Sequence, residues 1–336
     1  MFTCYHDECR CQARTLNAKP PLCLCRCFVY NTATLPSSGW IARAGLLNPG
    51  HRRIEEGGLE AEASIGSIGK ILPPRVRHWL AWAAPIVALV IIGAFLLTPP
   101  WSVLFKARLI GYAVCHQLPA RSFHVAGEQL PLCARCSGTF LGAVVGFTLL
   151  TLRGRRRAAG LPPTAVAVVL VCFIAALAVD GINSYLTFFP RLPHLYQPQN
   201  WLRLTTGMLN GIALSAIVYP VLNYSLWGDA TNAPSVRNFA ELGMLLAVGA
   251  VVSVIILLEP PPLLYPLAIL SVLGVLALLT ALNSTLLLAL INHRATATRW
   301  RQAALPLLVG LAASFVEIGA IDVLRYVITR GAGLQL

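Results

Sequence analysis

Near the middle of the chain stand three cysteines and two histidines: Cys115-His116-Gln117, then His124, then Cys133-Ala134-Arg135-Cys136. Thiolate and imidazole are the ligands of zinc and of softer transition metals, and paired thiols also carry disulfide exchange. Cys133 and Cys136 are three residues apart, so both sulfurs face one side of a turn or helix start. Free N–H groups and the positive dipole end there favour the thiolate, and Arg135 adds positive charge. The thiolates of Cys115, Cys133 and Cys136 with the imidazole of His116 make a tetrahedral zinc-like site, with His124 as a spare ligand. The spacing matches no standard zinc finger. Gln117 is placed either to support a ligand or to cap a helix.

Two other chemistries fit the same residues. Cys133 and Cys136 can form a reactive thiol pair with Cys115 as the resolving thiol, passing electrons to a membrane quinone. Alternatively the cysteines are structural, as a disulfide or as packed thiols. Three cysteines leave one unpaired, which disfavours simple stapling.

The elements that must position these residues are membrane helices. The chain has 336 residues, 57% hydrophobic and 12% charged, with mean hydropathy +0.69. Soluble domains carry about 25% charged residues, so lipid is the main solvent. From residue 75 onward apolar runs predict spans at 78–98, 136–152, 164–188, 201–222, 240–258, 263–291 and 303–327, each near the ~20 residues a crossing needs. The expected fold class is all-α: a polytopic helical transmembrane bundle of about seven spans. Segment 102–117 is apolar but carries Lys106 and Arg108, and reads as an interfacial or re-entrant helix ending at Cys115 and His116. Residues 1–72 hold six of the ten cysteines and a Gly/Ser/Glu-rich run. They read as a disordered Cys-rich tail or a non-native extension, with Cys23-Leu24-Cys25-Arg26-Cys27 as a weaker metal-binding candidate. Residues 73–225 then form the membrane domain carrying the motif, and 226–336 the C-terminal helices.

The net charge is +13. The basic residues lie in short runs beside apolar segments, a pattern of membrane topology and not of nucleic-acid binding. Arg153, Arg155, Arg156 and Arg157 form the strongest cluster, which places that loop and the N-terminus in the cytoplasm. The protein is then a multi-pass protein of the cell (inner/cytoplasmic) membrane in contact with its lipids, and the Cys/His cluster is exoplasmic. Lys106, Arg108, Arg121, Arg135 and Arg191 oppose the rule, and basic residues on that side need another reason. The same alternation brings Asp180, Asn183, Asn200 and Arg203 to the cluster's end of the bundle. Asp322 and Arg325 follow, with Glu317 one to two turns deeper. Arg121 and Arg203 can hold a lipid phosphate or a carboxylate; the alternative is an internal ion pair with Asp180, Asp322 or Glu317. Asp180 is also a candidate acceptor behind a ligand histidine. Asp322 and Arg325 are spaced for a local pair. Cys172 reads as core, and Gly138, Gly142 and Gly146 as a helix-packing stripe.

Residues 115–123, Cys-His-Gln-Leu-Pro-Ala-Arg-Ser-Phe, and 131–138, Pro-Leu-Cys-Ala-Arg-Cys-Ser-Gly, resemble the signature of a bacterial and archaeal membrane-protein family catalogued as domain of unknown function 2085. Asp180-Gly181, Asn200-Trp201-Leu202-Arg203, Thr206-Gly207 and Gly211 are similar to it too. The resemblance spans roughly residues 101–219 and implies an integral membrane protein, with no activity attached. Walker loops, dinucleotide fingerprints, Gly-x-Ser-x-Gly elbows and His-Glu-x-x-His motifs are missing, and the two halves show no convincing repeat. The expected function is an exoplasmic Cys/His metal site, possible metal handling included. A thiol–disulfide oxidoreductase, and a transporter or lipid-handling protein with the cluster as a clasp, are the alternatives.

Overall fold

A chain crossing lipid must satisfy every backbone N–H and C=O internally, so its apolar stretches close into helices. The computed structural model describes residues 74–189, 193, 195–291 and 297–329, with side chains from residue 83 onward. The expected tail at 1–72 and Arg191 lie outside the described residues. Among the described residues there are eight α-helices: α1 Pro74–Leu97, α2 Val103–Val114, α3 Ala134–Leu152, α4 Thr164–Leu186, α5 Asn200–Leu226, α6 Phe239–Leu257, α7 Leu264–Leu290 and α8 Trp300–Thr329. The fold is an all-α polytopic bundle.

Among the described residues, α3 to α8 are long and apolar enough to cross a membrane. The described apolar part of α1, Ala83–Leu97, is shorter than a crossing, and Pro85 lies inside that helix. α2 has 12 residues, about 18 Å of helix, too short for a ~30 Å hydrocarbon layer. It packs instead on α7 and α8.

α5 is the central helix: 72% of its most apolar stretch is buried, against 17% for α4. Small residues let α3 and α5 touch backbone to backbone. A Cβ on Gly138 would strike the Leu204 carbonyl, one on Gly142 that of Met208, one on Gly207 that of Arg135 and one on Gly211 that of Thr139. Cys172, expected in the core, is exposed. It sits on the outward side of peripheral α4, where a thiol behaves as a small apolar group.

Polar residues gather at the two ends of the bundle. At one end Arg155 pairs with Glu241 and Arg157 with Asp229, while the Arg157 guanidinium lies 3.8 Å over the Trp227 ring. Strands β3 (Ala158–Gly160) and β4 (Thr231–Pro234) pair in parallel beside them. At the other end, α1, α2, α4 and α8 terminate and α3 and α5 begin. Lys106 donates to the Phe95 carbonyl and to that of Thr98 at 2.8 Å, capping α1. Arg108 pairs with Glu128 at 2.7 Å.

The loop between α2 and α3 is a β-hairpin, which the sequence pattern did not announce. Strands β1 (Ser122–Val125) and β2 (Glu128–Cys133) are antiparallel, with Ser122 opposite Cys133. Ala126 and Gly127 turn between them at φ 53° and 81°, the pair of positive values a tight hairpin loop requires. The hairpin returns the chain from the end of α2 to the start of α3.

Candidate functional site

Cys115 follows the last residue of α2, in extended backbone. Gln117 then adopts φ +52°, a left-handed conformation that turns its N–H back toward Cys115. Cys133 closes β2 and is the N-cap residue of α3; Cys136 is one turn inside that helix. The three sulfurs all lie within 4.8 Å of one another, and none is in a disulfide. The Cys115 sulfur accepts the backbone N–H of Gln117 at 3.4 Å and of Cys133 at 3.2 Å.

These donors fit a thiolate, since N–H groups pointing at sulfur stabilise the charged form. With protons alone to share, the trio divides them unequally. The thiols of Cys115 and then Cys136 donate to Cys133, holding its pKa well below the ordinary thiol value. That same donation to Cys133 pushes Cys115 up. Cys115 is buried with Ala107, Ile110, Leu132, Val272 and Ile318, and Cys133 and Cys136 pack against this cluster. The sulfurs thus sit in an apolar wall made by α2, β2, α7 and α8.

The turn at Cys115 is held from two directions. Arg325 of α8 donates to the carbonyls of Tyr112 and Cys115, the latter at 2.5 Å, and stacks 3.9 Å over the Tyr112 ring. Gln117 joins α2 to β2 by donating to the Arg108 carbonyl at 2.8 Å and the Pro131 carbonyl at 2.7 Å. Gln129 donates to the Gln117 carbonyl at 2.8 Å. Arg325 is therefore committed to α2, and not to Asp322 three residues before it.

His116 and His124 lie outside the sulfur trio, and both are exposed. In extended chain successive side chains alternate. Burying Cys115 turns His116 outward, and burying Phe123 and Val125 turns His124 outward.

Arg135 projects from the opposite side of the start of α3. Its Nε donates to Asp180 Oδ2 at 2.9 Å, and its terminal nitrogen donates to the same oxygen, to the Asp180 carbonyl at 3.1 Å and to Ser184 Oγ at 2.9 Å. Tyr196 donates its hydroxyl to Asp180 Oδ1 at 2.8 Å. The Asp180 carboxylate thus serves Arg135 and Tyr196, and among the described residues no histidine bonds to it. Asn183 fixes the loop bearing Tyr196, accepting from Leu195 N at 2.6 Å and donating to the Tyr196 carbonyl at 2.9 Å.

Arg121 donates to the Ser184 carbonyl at 3.1 Å and lies 4.1 Å over the Phe188 ring. Burial, and then the charge of Arg135, lower its pKa. Arg203 donates to Asn200 Oδ1 at 2.8 Å, and Asn200 reaches the Ser122 carbonyl at 3.5 Å. Deeper on α8, Glu317 accepts from Asn283 at 3.1 Å. Neither Glu317 nor Asp322 pairs with Arg121 or Arg203. Tyr196 and Ser184 carried no sequence signal: one sits in an irregular loop, and the other is a lone serine on an apolar helix.

The sequence pattern of the family described as predicted membrane protein (DUF2085) matches residues 115–217, which contain the sulfur trio and every polar residue around Arg135. An uncharacterised protein of Methanothermobacter thermautotrophicus is 32% identical over 104 residues, covering 31% of this chain and 83% of its own. This chain belongs to the DUF2085 family. An uncharacterised protein of Methanocaldococcus jannaschii is similar too, 29% identical over 108 residues, or 32% of this chain. The match spans 63% of that relative, under two thirds of its length. No solved structure matches the chain. Arg325 lies outside the matched segment, so the α8 contact to Cys115 comes from beyond the family's common part.

Proposed function

We propose that this integral membrane protein binds a soft transition metal, zinc-like in its demands, through Cys115, Cys133 and Cys136 at the exoplasmic end of its bundle, and that it serves in metal handling. The observation that carries this reading is the convergence of three sulfurs from the end of α2, the end of β2 and the first turn of α3. Two backbone N–H groups already point at one of them. Four-ligand zinc sites are closed and structural, whereas three protein ligands leave a position open. An open position suits a metal that is passed on or presented to another ligand. His116 is the nearest imidazole in sequence, and it would have to swing inward to fill that position.

Metal analysis of the purified full chain tests this. The expected outcome is about one soft metal ion per chain, lost in a Cys133→Ser, Cys136→Ser double variant and kept in His116→Ala. A double variant that kept the full metal content would refute the site.

The closeness of the Cys133 and Cys136 sulfurs, which share no disulfide, supports a second reading, a thiol–disulfide oxidoreductase. The two thiols would close a disulfide, giving two electrons and two protons to a membrane quinone. Metal-free protein whose Cys133 and Cys136 become alkylated only after reduction would favour that chemistry.

A further inference from the structure

Three guanidinium groups meet at this end of the bundle around one carboxylate. Arg121 and Arg135 converge on Ser184, the first on its carbonyl and the second on its hydroxyl. Arg203 arrives from α5, linked through Asn200 to the carbonyl of Ser122, the residue after Arg121. Only Arg135 has a carboxylate partner, Asp180. Among the described residues no Asp or Glu pairs with Arg121 or Arg203. Arg203 is nonetheless only 6% exposed, and its Nε–H is buried with no acceptor. A buried cation with an orphaned donor is costly unless an anion completes it.

We propose that Arg121, Arg135 and Arg203 form a binding site for a phosphate group, carried by a lipid headgroup or free in solution. Guanidinium forks match phosphate oxygens in geometry as well as charge. Arg203 forms the buried floor, while Arg121 and Arg135 are half-buried and leave an approach. Tyr185, Phe188 and Trp201 stand exposed at the same end, the residue types that line the headgroup layer. The site does not depend on what the cysteines hold.

Thermal unfolding of the purified full chain in neutral detergent tests the proposal in two arms. One adds inorganic phosphate against chloride at equal ionic strength; the other adds phosphatidylglycerol against phosphatidylcholine in mixed micelles. The melting temperature is expected to rise in at least one arm. A rise with inorganic phosphate identifies the free ion as a ligand, and a rise with phosphatidylglycerol alone identifies the headgroup. Arg203→Gln should weaken the effect roughly tenfold, the worth of a charge-assisted hydrogen bond. The half-buried Arg121→Gln does the same should Arg203→Gln fail to fold. Arg237→Gln, exposed at the opposite end, should respond as wild type. No rise in either arm, or an Arg121→Gln protein that responds as wild type, overturns the proposal.

Discussion

Removing the carboxylate of Asp180 leaves Arg135 beside two like charges with nothing to balance it. Asp180 is 1% and Arg135 22% exposed, so Asp180→Asn should cost about 3 kcal/mol, the low end for breaking a buried pair. A lowered melting temperature of the purified variant would show this; an unchanged one would mean that Ser184 and water hold Arg135 unaided. At this scale the sequence was informative wherever spacing carried the meaning. Cys133 and Cys136 could be placed on one side of a helix start before any fold was known. The outward turn of His116 was not legible, because it depends on the extended backbone that ends α2. Nor was the role of Tyr196, which is set by the hydrogen bonds of Asn183 to a loop without periodic pattern.

Between elements, the contact of α3 with α5 decides whether the site forms. Gly207 lies against the Arg135 carbonyl, so a side chain there pushes α5 away from the start of α3 and from Cys136. Gly207→Val is expected to cost upward of about 3 kcal/mol, since a backbone clash in a packed interface cannot be relieved by a rotamer change. Gly181→Ala meets open space, and should be neutral or stabilising by up to about 1 kcal/mol from helix propensity. Comparing the monodisperse fraction and melting temperature of the two variants checks the contrast. The glycine stripe was readable from its four-residue spacing, and so was the presence of the helices. The hairpin was hidden. Its strands are short, one contains Pro131, and the two-residue Ala126-Gly127 turn is a weak signal compared with Asn-Gly.

For the whole molecule, the spans were legible as apolar runs, and their alternation brought Arg121, Asp180, Asn183, Asn200 and Arg203 to one end before any contact was seen. Four of the five basic residues that opposed the charge rule are explained locally; the fifth, Arg191, lies outside the described residues. Lys106 caps α1, Arg108 pairs with Glu128, Arg135 pairs with Asp180 and Arg121 stacks on Phe188. They are bound to the bundle and do not report on the side of the membrane. The proposed exoplasmic location therefore rests on the Arg153–Arg157 end. Intact cells offer a test: a membrane-impermeant maleimide should label a cysteine placed at exposed His124 and spare one placed at Arg156, and the reverse pattern would invert the orientation. The clasp of Arg325 on the Cys115 turn has a consequence for how the protein is made. The cysteines leave the ribosome some two hundred residues before that arginine. Until α8 has been synthesised and inserted, the turn lacks one of its two anchors. A chain interrupted before α8 would carry all three sulfurs and still lack this anchor, so loading of the proposed metal site would wait until α8 is in place.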